Sequence, residues 1–265
     1  MTERSEFVAR WGRAAALSLV AGTVGGAAVL AGQAIAARNR QYAQPELGLA
    51  LRATVGRPGA PALRLVLLGD SSALGVGVTS FEETVGGQLA HLLTEGPTGR
   101  RVHLSSVGVS GSRSTDLATQ VARALLGERP DVAVILIGAN DATGLARPAD
   151  AAAYLGSAVR RLREAHVEVV VGTCPDLGAV RAVAAPLRQL LGWSGRRVAR
   201  AQTAAVLDAG GTVVDLGTET GPVFRADAGT LCHDGYHPSA DGYRVWAHAL
   251  LPAVEAAATV ASRHH

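Results

Sequence analysis

The chain contains no lysine: all 25 of its basic residues are arginine. That absence removes Schiff-base chemistry, a Ser-Lys dyad and a phosphate-loop lysine from the reactions open to it. Cysteine is nearly absent too, with only Cys174 and Cys232. With no C-x-x-C pair, a four-cysteine zinc site is excluded. Aromatics make up 4% of the chain and are not interleaved with a basic block. The arginines are spread along the sequence and the net charge is only +3, so nucleic acid is not an expected partner.

What is present is aliphatic. The 265 residues, 48% hydrophobic, suffice for one sizeable α/β domain with a short appendage. A basic segment, 1–13, holds Arg4, Arg10 and Arg13. Residues 14–37 follow without a charged side chain, long enough to cross a bilayer but built mainly of Ala and Gly, with seven Leu, Ile or Val. This composition leaves open an uncleaved membrane anchor, a signal segment cleaved after Ala36, or a soluble Ala-rich helix. The expectation is a membrane-anchored or secreted protein with an extracytoplasmic domain. Arg38, Arg40, Arg52 and Arg57 follow the stretch, so the arginine balance does not fix an orientation. Residues 38–62 are mixed and contain Pro and Gly, the pattern of a linker. The regular part of the chain is 63–258, with 259–265 as a tail.

From Leu63 onward, aliphatic runs recur: LRLVLL (63–68), RVHLSSV (101–107), VAVILI (132–137), VEVVVG (167–172) and TVVDL (212–216). Helical spacing of Leu, Ala and Val fills 81–94, 113–126, 149–165 and roughly 179–208, and again after Pro238. Alternating strands and helices predict right-handed βαβ units: a three-layer α/β/α sandwich on a parallel sheet of about five strands. In such sheets the ligand site lies beyond the C-terminal strand ends.

The polar stretch after the first run, GDSS (69–72), fits neither nucleotide loop. G-x-G-x-x-G and G-x-x-x-x-G-K both fail on spacing, and G-x-S-x-G is absent. What remains is Ser71. A serine there is ordinarily a turn or helix-cap residue, and becomes a nucleophile only with a base and an orienting acid. Asp234 and His237, separated by Gly235 and Tyr236, form such a pair at the far end of the chain. Oxyanion donors are available in the Ser71 N–H, the glycine turn GVSGS and the Asn140 amide. Asp70 is expected to brace the loop, Asp141 to be structural, and Pro238 to start the last helix. Cys232, His233, Asp234 and His237 also invite a metal reading, but Gly235 and Pro238 oppose the helix that would align the histidines; no metal or other cofactor is expected.

With these blocks in order, the sequence resembles the SGNH (GDSL-type) esterase/lipase family, whose fold is flavodoxin-like. GDSS implies Ser71 as nucleophile, SVGVSGSRS implies Gly111 as backbone oxyanion donor, GAND implies Asn140 as side-chain donor, and DGYHP implies Asp234 and His237 as acid and base. The resemblance covers about 63–255. It departs at Ser106, where the second block ordinarily opens with Asn. It implies a serine hydrolase acting on small acyl-ester, lipid or O-acetylated glycan substrates through an acyl-enzyme. Alternatives on the same fold are an acyltransferase or a non-catalytic envelope binding protein. Cys174 follows the fourth strand and Cys232 lies in the Asp-His loop, both on the same edge of the sheet, so in an exported domain a disulfide stapling that loop is a further possibility. Leu190 and Trp193 are candidates for the border of the acyl pocket.

Overall fold

The computed structural model describes residues 25–46, 51–97 and 99–264. Residues 14–24 of the apolar stretch lie outside them; residues 25–38 form helix α1. No helix among the described residues is long and apolar enough to cross a membrane.

Six strands make one sheet: β1 (Arg52–Val55), β2 (Ala62–Gly69), β3 (Arg101–Ser106), β4 (Val132–Leu136), β5 (Glu168–Gly172) and β6 (Thr212–Val214), in the order β1-β3-β2-β4-β5-β6. The last five pair in parallel. β1 is the addition to the expected five: it runs antiparallel on β3, Arg52 opposite Ser105 and Val55 opposite Val102. It arises within 38–62, expected as a linker. Its four residues alternate between exposed and half-buried, as an edge strand does.

Helices cover both faces: α2 (Val85–Glu95) and α8 (Ala240–Ala261) on one, α3 (Leu117–Ala124), α5 (Pro148–Glu164) and α6 (Leu187–Asp208) on the other, with the short α4 (Ala139–Thr143) between β4 and α5 and α7 (Leu216–Ala226) between β6 and α8. Along β2 the side chains alternate. Leu63, Leu65 and Leu67 pack with the α2 and α8 side chains, while Val66 and Leu68 pack with Leu117, Leu155 and Val159. A buried parallel strand meets apolar layers on both sides, hence the unbroken aliphatic runs.

The order reverses beside β2, since β3 lies to one side of it and β4 to the other. A crevice opens at the strand ends there. β2 ends where only glycine fits: Gly69 has φ +135° and a Cβ on it would lie 1.8 Å from the Leu136 carbonyl oxygen. The chain therefore turns out of the sheet at residue 70, with the Asp70 N–H still held by Leu136 O at 3.1 Å.

Candidate active site

Ser71 opens a single 3₁₀ turn, Ser71–Leu74. Asp70 caps it, its Oδ1 accepting from the Ser72 N–H at 3.0 Å. Gln120 of α3, fully buried, holds the base of the turn from behind. Its Oε1 accepts from the Gly69 N–H at 2.7 Å, and its Nε2 donates to Gly69 O at 2.9 Å and to Ser112 Oγ at 3.1 Å. One side chain thus fixes the end of β2 to the glycine turn that follows β3. Nothing in the local sequence pattern marks Gln120 for this; a lone polar residue on the apolar face of α3 is its one signal.

Asp234 and His237 come from a tight loop closed by the Leu231–Pro238 bridge and by Cys232 N–H to His237 O at 2.9 Å. Gly235 (φ +68°) makes the turn, and its carbonyl accepts from the N–H groups of Arg181 and Ala182 at 2.8 and 2.9 Å. Pro238 belongs to this bridge and does not start α8. Ser239 caps the helix instead, accepting from the Gly242 N–H, and Ala240 is the first helical residue.

The loop brings His237 Nδ1 to 2.6 Å from Asp234 Oδ2 and His237 Nε2 to 3.1 Å from Ser71 Oγ. All three side chains are buried. Burial by itself raises the Asp234 pKa, but the hydrogen bond to the His237 ring and the N–H groups of Ala43, Tyr236 and His237 outweigh it, so the carboxyl sits well below its usual range. Asp70 goes the other way. Burial pushes it up to about 6, against the Ser72 hydrogen bonds and nearby His237.

Ser71, Gly111 and Asn140 line one cavity of about 760 Å³ with His237. Asn140 stands in the first turn of α4, and its Nδ2 donates to Ser112 O at 3.0 Å; an amide nitrogen carries a second hydrogen. Ser106 accounts for its place in the second block. Its hydroxyl donates to Ala73 O at 2.8 Å and accepts from the Gly108 N–H at 3.3 Å, so a hydroxyl braces this turn and engages Gly108, while Gly111 faces the cavity. Asp141 is structural, accepting from the N–H and hydroxyl of Ser114. The cavity lining also has an apolar part, with Val180 and Val183 from the stretch before α6, Leu187 and Leu190 from its first turn, and Ala37 from α1. Leu190 borders it as expected. Trp193 is half exposed and carries Arg197 over its ring at 4.7 Å.

Cys174 and Cys232 stand as separate thiols, correcting the possible disulfide. Each has its own acceptor: Cys232 Sγ donates to Asp234 Oδ1 at 3.2 Å and buried Cys174 to Pro175 O at 3.6 Å.

Residues 67–245 match the model of the GDSL-like lipase/acylhydrolase family. The chain belongs to that family. Among GDSL-like relatives, the esterase Rv1075c of Mycobacterium tuberculosis is 46% identical over 199 residues, which is 74% of this chain and 63% of the relative's length. The chain thus spans less than two thirds of that protein. Of solved structures, the lipase/acylhydrolase of Enterococcus faecalis superposes with a TM-score of 0.57 at 20% identity, over 73% of this chain and 96% of the other. An acetylxylan esterase of Geobacillus stearothermophilus gives 0.55 at 19%, over 74% and 95%. These two share the fold with this GDSL-like chain.

Proposed function

We propose that the protein is a carboxylic ester hydrolase in which Ser71 is the nucleophile. The observation that carries this is the continuous contact from Ser71 Oγ through His237 to Asp234, buried at the end of β2. Ser71 Oγ attacks the ester carbonyl as His237 Nε2 takes its proton. Asp234 stays ionised, holding the ring with Nδ1–H toward itself and favouring the imidazolium. The Ser71 and Gly111 N–H groups and the second Asn140 amide hydrogen take the tetrahedral oxyanion. Collapse expels the alcohol, protonated by His237, and leaves an acyl-serine. Water, deprotonated by His237, attacks that acyl group and releases the acid and Ser71.

The substrate is an acyl ester whose acyl chain lies along the apolar wall at Val183, Leu187 and Leu190. A small ester, a lipid and an O-acetylated glycan all satisfy the chemistry; the apolar wall favours a short aliphatic chain over acetyl alone. An extracytoplasmic, tethered setting is part of this reading, with the tether in the uncharged residues ahead of Gln33, since Gln33 and Ala37 are engaged with the domain; cell fractionation tests it. The activity is tested with p-nitrophenyl esters of increasing chain length. Wild type hydrolyses them, and Ser71→Ala, folded as judged by circular dichroism, loses about 10³-fold or more. Equal rates for the two proteins contradict the proposal.

A further inference from the structure

Beside the candidate active site lies a second cavity, of about 400 Å³, whose lining includes Arg181, Arg188, Arg196 and Arg225. Three segments build it. Arg188 and Arg196 come from one face of α6, two turns apart, with Gly192 between them. Gly192 leaves that face bare, and a Cβ there would lie 3.0 Å from Gly178 Cα, so the backbone at Gly178 packs directly against the helix as the cavity floor. Arg181 comes from the stretch between β5 and α6. Arg225 comes from the last turn of α7, and its carbonyl accepts from Arg181 Nη2 at 3.4 Å.

The charge is unbalanced. Asp176 pairs with Arg225 at 2.5 Å. Arg181, Arg188 and Arg196 form no ion pair among the described residues. Four guanidinium groups against one carboxylate leave a surplus of three in one concavity, as much as the net charge of the whole chain, +3. Guanidinium stays charged at every working pH, and its planar fork of donors matches the oxygens of phosphate. A concave surface of one sign concentrates its field on a counter-ion. Ala179 lines both this cavity and the one that holds Ser71, so the two meet at a shared wall.

We propose that the arginine cavity is an anion subsite, taking a phosphate group carried by the ester substrate while the acyl group lies at Ser71. This rests on the ester-hydrolase reading above and narrows it to phosphorylated acyl esters. No bond is made or broken at the subsite; it binds the substrate away from the scissile bond and so acts on KM.

A matched pair of substrates tests this: 1,2-dibutyrylglycerol and its 3-phosphate. Wild type is expected to turn over the phosphorylated ester with a kcat/KM about tenfold higher, the difference lying in KM and fading as salt is raised. Arg188→Gln/Arg196→Gln is expected to handle both esters alike and to keep the wild-type rate on the neutral one. Removing two arginines elsewhere, as in Arg123→Gln/Arg129→Gln, is expected to leave the preference intact. Absence of preference in wild type, or its survival in Arg188→Gln/Arg196→Gln, overturns the subsite. Calorimetric titration with inorganic phosphate reads the cavity without catalysis: binding is expected in wild type and lost in Arg188→Gln/Arg196→Gln, and equal heats overturn the proposal. If neither ester is hydrolysed while phosphate binding follows the arginines, the ester-hydrolase reading fails and the cavity's affinity for phosphate stands.

Discussion

The backbone N–H of Ala43 donates to Asp234 Oδ2 at 3.0 Å, the same oxygen that His237 Nδ1 meets at 2.6 Å. A segment 191 positions upstream thus holds the proposed acid in place. It is itself anchored: Gln33 of α1 donates to Ala185 O at 2.6 Å and accepts from the Leu187 N–H at 3.0 Å. Tyr42 stands edge-on to Tyr236, 5.4 Å between ring centroids. A hydrogen bond to a charged group contributes about 1.5–3 kcal/mol. Ala43→Pro, which deletes the N–H, is therefore expected to lower kcat about ten- to a hundredfold with little change in KM. Ala43→Gly, which keeps the N–H, is expected to stay near wild type. Steady-state kinetics on a p-nitrophenyl ester checks both; equal kcat for wild type and Ala43→Pro leaves the contact without a role in positioning Asp234.

Asp70 makes a pH-dependent contribution to stability. Its carboxyl ionises at about 6 in the folded chain, because it is buried, against 3.8 for the free group. The folded state therefore favours the protonated form. The contribution is fully present below pH 3.8, falls as pH rises, and is lost above about 6. The loss amounts to at most about 3 kcal/mol. Asp70→Asn keeps an acceptor for the Ser72 N–H without the charge. It is expected to gain stability over wild type at pH 8 and to lose that advantage toward pH 4, measured as the difference between their urea unfolding curves. A difference that does not change with pH contradicts the cause assigned to the shift.

Asn140→Ala removes the proposed side-chain oxyanion donor. A single such donor is worth about 10²–10³ in kcat. A loss of that order is expected, with Tm within a few degrees of wild type, since Asn140 is only partly buried and, among the described residues, its side chain makes a single hydrogen bond, to Ser112 O. A kcat within twofold of wild type removes Asn140 from the oxyanion site.

The thiols are expected to be inert in the native protein. Burial pushes the Cys232 thiol up to about 11 and raises the Cys174 thiol well above its ordinary value, so neither is a thiolate at neutral pH. Intact mass without reduction is expected to show both hydrogens in place. Iodoacetamide should modify two cysteines only after denaturation. A mass lower by two hydrogens restores the disulfide.

Much of this was legible in the sequence, for a physical reason. Buried parallel strands leave little choice but aliphatic runs, so β2, β4 and β5 announce themselves and the polar blocks at their ends stand out by contrast, while β3 reads as an alternation of polar and apolar residues and β6 as a short edge strand. β1 does not, because Arg52-Ala-Thr-Val is an edge strand of mixed polarity in a Pro- and Gly-containing stretch. Helix α7 holds Gly217, Gly221 and Pro222, all poor helix formers, and owes its place to Phe224 and Leu216 packing on the core. Ala43 acts through its backbone, which no side-chain pattern records. The arginine cavity draws on three segments, and only the Arg188–Arg196 spacing is local.

The most direct measurement is covalent labelling with a fluorophosphonate, followed by peptide mapping, on wild type, Ser71→Ala and His237→Ala. The account predicts one adduct, on Ser71, in wild type, none in Ser71→Ala, and labelling slowed by orders of magnitude in His237→Ala, each protein folded by circular dichroism. Folded wild type that takes no label, or an adduct on Ser72 or any other residue, contradicts the account.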